Sequence, residues 1–162
     1  MPFYLIVRGP LGAGKTTVAT ALAKAIPGRV ISIDDILETL LWDGGSEALF
    51  LEANKVAAAQ AHDAFQHVRA VVVDGNFYWQ SAIDDLARCI GVPHEVFTLK
   101  VPLEVCIARD RGRPLSYGEE ATREVFEKVA RVESGLSIDG TQDVATIVRE
   151  VRSRLGASWF AD

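Results

Sequence analysis

The sequence predicts an α/β protein of three layers, α/β/α, in which a five-stranded parallel sheet lies between helices and carries a short helical lid. Three observations predict it. Short apolar runs alternate with segments of helical period, the pattern of parallel strands joined by crossovers. Hydrophobic residues make up 49% of the 162 positions and charged residues 24%, which is enough for a real core in one domain spanning 1–162. The first apolar run ends in a glycine-rich loop, "GPLGAGKT" (Gly9–Thr16), that opens directly into the first helical segment.

Each element has its own reason. "FYLIVR" (Phe3–Arg8) is a short apolar run stopped by glycine, hence a buried strand. Lys15 to about Ile26 has helical character and is ended by Pro27-Gly28. "RVISI" (Arg29–Ile33) is the second strand. Leu37 to Val68 is read as helical, with Ser46 a candidate cap for its long alanine-rich part. "AVVVD" (Ala70–Asp74), β-branched and continuous, is the third strand. A helix from Ser81 to about Ile90 ends at Gly91, a residue suited to the left-handed turn after a helix. "HEVFTLKV" (His94–Val101) is the fourth strand, and Pro102 starts a helix reaching about Arg109. Gly118 to about Val132 is helical, "GLSID" is a short fifth strand, and Val144–Leu155 is the closing helix. The tail "ASWFAD" is left without an element.

Composition narrows the function. The net charge of −5 gives no general basic surface for nucleic acid. Cys89 and Cys106 lie far apart, with neither metal nor disulfide spacing, and read as free thiols of a reducing compartment. "MPFYLIV" lacks a basic leader segment and is too short to span a membrane, so the expected location is the cytoplasm.

The loop carries the chemistry. Gly9-x-x-x-x-Gly14-Lys15-Thr16 is the P-loop pattern, and it stands between a predicted strand and a predicted helix, as that pattern requires. Gly9, Leu11, Gly12, Ala13 and Gly14 bring backbone N–H groups toward phosphate oxygens, and the helix N-terminus adds partial positive charge. Lys15 supplies a full charge to the β- and γ-phosphates, Thr16 offers a hydroxyl to Mg²⁺, and Thr17 completes the cradle. The expected ligands are a nucleoside triphosphate, taken as ATP, and Mg²⁺.

Three further stretches choose among P-loop activities. In "ISIDDI", Asp34 and Asp35 stand at the C-terminal end of the second strand, the edge where open parallel sheets bind ligands. A carboxylate there can take the proton of an acceptor hydroxyl. One of the two can also cap the following helix; Asp34 is the expected base. In "VVVDGNFYW", Asp74 ends the third strand, where a carboxylate suits Mg²⁺ through its bound water; Gly75 and Asn76 form a turn over the acceptor site, and Phe77, Tyr78 and Trp79 are candidate walls for a flat or apolar acceptor, or core. In "ARDRGRP", Arg109, Arg111 and Arg113 repel one another unless an anion sits among them, and arginine binds phosphate bidentately. A lid over about 109–120 would bring Arg109 and Arg113 to the phosphates and exclude water.

With these residues in place the chain resembles the small P-loop kinases: nucleoside monophosphate, shikimate and gluconate kinases, chloramphenicol phosphotransferase and the phage polynucleotide kinase module. "GPLGAGKT", "SIDDIL", "VVVDGN" and "ARDRGR" fill, in order, the places of the polynucleotide kinase loop, Asp-Asp strand end, Asp strand end and lid arginines. The resemblance implies Asp34 as general base, with Arg109 and Arg113 touching nucleotide and transferring phosphate. It also implies an acceptor region over about 35–68, with Trp42 in the pocket wall.

The chain departs from parts of that pattern. Polynucleotide kinase has an arginine soon after its Asp-Asp pair, whereas Ile36, Leu37 and Glu38 follow here. Nucleoside monophosphate kinases need extra arginines, yet only Lys55 and Arg69 lie between Asp35 and Asp74. No clear basic set for a shikimate-type carboxylate is present. The expected activity is therefore phosphorylation of an uncharged or weakly charged small hydroxyl compound, by a monomer or homodimer. The alternatives are a 5′-hydroxyl kinase of nucleotides or nucleic-acid ends, and an ATP-binding module without transfer. A GTPase is disfavoured because "EANKVA" lacks the aspartate of a guanine-reading NKxD stretch.

Overall fold

The structure is a computed structural model that describes residues 1–160. Five strands form one sheet in the order β2-β3-β1-β4-β5. They are β1 (Phe3–Arg8), β2 (Gly28–Ser32), β3 (Ala70–Gly75), β4 (His94–Lys100) and β5 (Leu136–Asp139). All four pairings are parallel, and in the central one Val7 stands opposite Asp74 and Arg8 opposite Gly75. The helices are α1 (Lys15–Ala25), α2 (Ile33–Thr39), α3 (Glu47–Ala64), α4 (Gln80–Ile90), α5 (Leu103–Arg111), α6 (Glu119–Ala130) and α7 (Val144–Leu155).

Strand alternation sorts the core into two halves. Tyr4 and Ile6 of β1, with Val71 and Val73 of β3, pack under α2, α3 and α4. Phe3, Leu5 and Val7, with Val72, Phe97 and Ile138, pack under α1 and α7. A parallel sheet is covered on both faces, which is why its central strands are apolar at every position rather than every second one. Each fully buried Leu, Ile or Val contributes about 1.5–3 kcal/mol.

The topology fixes where a ligand can sit. The helix after β1 lies on one face and the helix after β3 on the other. The adjacent C-terminal ends of β1 and β3 therefore open into a crevice, the position where such sheets bind ligands. Arg8, Gly9, Asp74 and Gly75 border it.

Most elements differ from the sequence expectation by one or two residues at an end, α5 for one reaching Arg111 rather than Arg109, and two differences bear on the site. The second strand ends at Ser32, not Ile33, and Asp34 and Asp35 lie in the first turn of α2. Ser32 is the cap: its hydroxyl accepts from the Asp35 N–H at 3.3 Å, and the acids sit where the helix dipole favours them. The expected helical stretch from Leu37 to Val68 is interrupted between α2 and α3. Asp43 accepts from the N–H groups of Gly45 and Ser46, forming a turn, and Ser46 then caps α3 through the Leu49 N–H at 3.2 Å. In the tail, Ala157–Trp159 makes a 3₁₀ turn, and Trp159 packs edge-on against Phe3 at 5.3 Å. Ala161 and Asp162 lie outside the described residues.

Candidate active site

The loop between β1 and α1 is held open by its own backbone and by α5. Gly12 has φ +77°, and a Cβ there would fall 2.5 Å from the Cys106 carbonyl oxygen, so the loop closes onto α5 only without a side chain. Gly14 precedes α1 in the left-handed conformation at φ +88°. The first N–H groups of α1 have no partner within the helix. Lys15 is only 7% exposed, and its Nζ donates to the Pro10 carbonyl at 3.0 Å. Burial lowers its pKa, while the charges of Asp34 and Asp74 raise it and that of Arg113 lowers it again. Thr16 and Thr17, which follow, are exposed, and Leu11 is half-buried.

Asp74 is 1% exposed at the end of β3, and its Oδ2 has no hydrogen-bond partner among the described residues. Burial pushes its carboxyl up to about 6; Lys15 opposes this and Asp34 adds to it. An ionised oxygen buried without a partner is costly. Beside a lysine and at the mouth of the crevice, it is suited to a cation or a metal-bound water. Asp34 is half-buried, and its charge reaches Lys15, Asp74 and Tyr78. Asp35 is exposed. Lys15, Asp34 and Asp74, from three separate elements, are thus one electrostatic cluster.

The loop after β3 supplies the facing wall. Asn76 donates to the Tyr78 hydroxyl at 2.9 Å, and burial pushes that hydroxyl up to about 12. Phe77 is buried in the core, and its φ of +53° is a conformation that costs a bulky residue about 1–3 kcal/mol. Tyr78 and Trp79 are half-buried and meet Phe50 edge-on at 5.5 and 5.3 Å. Trp42 is 62% exposed on the turn between α2 and α3, over Gly45.

The arginine cluster is not the mutually repelling trio that its spacing suggests. Arg109 donates to the carbonyls of Gly12 and Ala13 at 3.3 Å each and to that of Gly140 at 3.2 Å. Arg111 pairs with Glu119 at 2.7 Å. Asp110 turns inward, 1% exposed, and accepts from the Ser116 hydroxyl and the Tyr117 and Gly118 N–H groups, which pins the loop 111–118. Arg113 is exposed and makes no ion pair among the described residues. Its charge nevertheless reaches both Lys15 and Asp110.

Three features escaped the sequence reading. A cleft of about 210 Å³ beside the P-loop is lined by Ala13, Gly14, Thr17, Arg109, Gly140 and Gln142. Lys128 of α6 pairs with Glu124 at 2.9 Å and lies 5.6 Å from the centre of the Tyr78 ring. Arg8 is wholly buried at the end of β1. Only the last had a visible signal, a lone arginine closing an apolar run next to Gly9.

Comparison with known proteins bears on the family and the fold. A family model described as an AAA domain matches residues 5–134. A shikimate kinase 2 of Escherichia fergusonii is 27% identical, covering 95% of this chain and 91% of that one. A gluconokinase structure from Sinorhizobium meliloti superposes with a TM-score of 0.74 at 21% identity, over 98% of this chain and 96% of the other. The tunicamycin resistance protein of Deinococcus radiodurans gives 0.70 at 20% identity, over 96% of both chains. The fold is that of the small P-loop kinases. No helix among the described residues is long and apolar enough to cross a membrane.

Proposed function

This chain belongs to the AAA-domain family, and from that premise we propose that it is a kinase passing the γ-phosphate of ATP to a hydroxyl of a small uncharged acceptor. The observation that carries the reading is the cluster of Lys15, Asp34 and Asp74 at the mouth of the β1/β3 crevice. Its parts divide the work of phosphoryl transfer.

The loop fits a triphosphate: it leads into a helix N-terminus, and a buried lysine is held against the loop's own carbonyl. Gly9 to Thr17 would hold the phosphates, with Lys15 exchanging the Pro10 carbonyl for phosphate oxygen. The cleft beside Arg109 would take the base. Thr16 and the unpartnered oxygen of Asp74 fit Mg²⁺ or its bound water, and the ion would neutralise charge on the phosphates. Asp34 would accept the proton of the acceptor hydroxyl and orient its oxygen, with Asp35 at the rim. Asn76 and Tyr78 would line the acceptor. Arg113 would approach the phosphates when the loop 111–118 moves, since the loop already leaves it without an ion pair.

The charge of the acceptor follows from where the cations are. Lys55 pairs with Glu52 at 2.6 Å, and Arg69 donates to the Met1 carbonyl at the opposite edge of the sheet. Lys128, beside Tyr78, is paired with Glu124. Arg8 spends its two terminal nitrogens on backbone carbonyls and Thr98. These four bases are engaged elsewhere and Arg113 is assigned to the phosphates, which leaves no base committed to a carboxylate acceptor of the kind named for the shikimate and gluconate relatives, whereas a neutral hydroxyl compound needs none. The test is transfer of labelled γ-phosphate to nucleosides, nucleotides, oligonucleotide ends, sugars, hydroxy acids and antibiotics. Transfer to a neutral hydroxyl compound supports the reading; transfer only to hydroxy acids or only to 5′ ends overturns its acceptor, and ATP binding without any transfer overturns the activity.

A further inference from the structure

Arg8 is the last residue of β1, immediately before the P-loop, and it is 0% exposed. A buried guanidinium is costly unless its donors are satisfied and its charge is met. No ion pair to Arg8 exists among the described residues. Its charge is met by carbonyls instead, through the two terminal nitrogens, while the buried Nε–H has no partner among the described residues. Nη1 donates to the Val132 carbonyl at 2.7 Å and to the Thr98 hydroxyl at 3.2 Å. Nη2 donates to the carbonyls of Val129 at 3.1 Å and Phe77 at 3.0 Å. Val129 and Val132 stand at the C-terminal end of α6, where a helix carries partial negative charge and unpaired carbonyls. Phe77 is the residue with positive φ in the loop that faces Asp34.

One side chain therefore joins three pieces: the strand that feeds the P-loop, the end of α6, and the acceptor-side loop. The other end of α6 is tied to the nucleotide side. Arg111 pairs with Glu119 at its start, Asp110 pins the loop before it, and Arg109 holds the P-loop carbonyls. We propose that Arg8 is a positioning residue that couples α6 to the Asn76–Tyr78 loop, so that nucleotide binding at the P-loop orders the acceptor side. The inference rests on the kinase reading given above.

The fork is what makes this specific to arginine. Four acceptors from three elements are reached by one rigid plane, and an ammonium at the end of a flexible chain cannot span them together. The strained backbone of Phe77 is held by the bond from Arg8 and by the burial of its ring.

The test needs no acceptor. Hydrogen exchange of the full chain is followed with and without the β,γ-imido analogue of ATP and Mg²⁺. In the wild type the analogue is expected to slow exchange at 9–17, at 119–132 and at 75–79 together. In Arg8→Lys it should still protect 9–17, with protection at 75–79 lost. Retained protection at 75–79 in Arg8→Lys overturns the proposal. So does a wild-type 75–79 segment indifferent to the analogue, and this arm decides the matter if the variant fails to fold. A wild type that binds no analogue at all overturns the kinase reading and this inference with it; binding without the 75–79 response overturns the inference alone.

Discussion

The Nζ of Lys15 donates to the carbonyl of Pro10, five residues earlier in the same loop, at 3.0 Å. The loop's cation is thus parked on its own backbone in a site where burial disfavours the charge. A phosphate oxygen offers a stronger, charge-assisted bond in the same place. Lys15→Ala should weaken ATP binding about 10–100-fold, the worth of one or two such bonds, and abolish transfer. Isothermal titration with ATP·Mg²⁺, alongside a turnover assay, checks this. Full turnover in the variant would remove the P-loop assignment.

Asp34 and Asp35 share the first turn of α2, but Asp34 is half-buried and its charge reaches Lys15, Asp74 and Tyr78, whereas Asp35 is exposed and reaches Asp74 alone of the three. Asp34→Asn should lower kcat by roughly 10²–10⁴-fold, the range for a general base, with ATP affinity little changed. Asp35→Asn should act mainly on acceptor KM. Steady-state kinetics with the acceptor found in the transfer screen separates the two. A larger kcat loss in Asp35→Asn reverses the assignment.

Asp74 gives a pH dependence with a definite sign. Its carboxyl is raised from 3.8 to about 6, burial being the largest cause. The folded protein therefore keeps this proton over a range in which the unfolded chain has lost it. Stability falls as pH rises from about 4 to about 6, by on the order of 3 kcal/mol in total, and the whole penalty is present above that range. Asp74→Asn should remove this slope and raise ligand-free stability near neutrality, while weakening the Mg²⁺ dependence of nucleotide binding. Urea unfolding across the range, in both proteins, measures it. Equal slopes would mean that Asp74 is not the group that titrates.

Arg109 and Arg113 should separate by the parameter they move. Arg109 is anchored on the Gly12, Ala13 and Gly140 carbonyls, so Arg109→Ala should show in nucleotide affinity. Arg113 is exposed and free of ion pairs among the described residues, so its removal breaks no ion pair in the ground state. Arg113→Ala should lower kcat by about 10²-fold or more, as loss of a donor to developing charge does, with the ATP dissociation constant nearly unchanged. Arg113→Lys should recover only part of the rate, because an ammonium cannot bind two oxygens in parallel. Stopped-flow binding and single-turnover transfer read the two quantities. A wild-type single-turnover rate in Arg113→Ala would make the loop 111–118 a solvated turn.

What the sequence determined by itself is whatever depends on local pattern. Continuous apolar runs such as Val71–Val73 announce strands buried on both faces, and the spacing from Gly9 to Thr16 announces a phosphate loop because both rest on neighbours in the chain. Helix ends marked by Ser46 and Gly91 were legible for the same reason. Tertiary structure decided which of several nearby partners a side chain takes, and everything that depends on residues far apart. Ser32 rather than an aspartate caps α2, and this turned Asp34 inward and left Asp35 at the surface. The arginines of "ARDRGR" were resolved by partners the sequence places elsewhere: Arg109 by Gly140, Arg111 by Glu119, and Asp110 by Ser116 and Gly118. Arg8 is the extreme case, since its carbonyl partners are 69, 121 and 124 residues away. Backbone carbonyls carry no sequence signature, so a charge neutralised by them is visible only once the chain has folded around it.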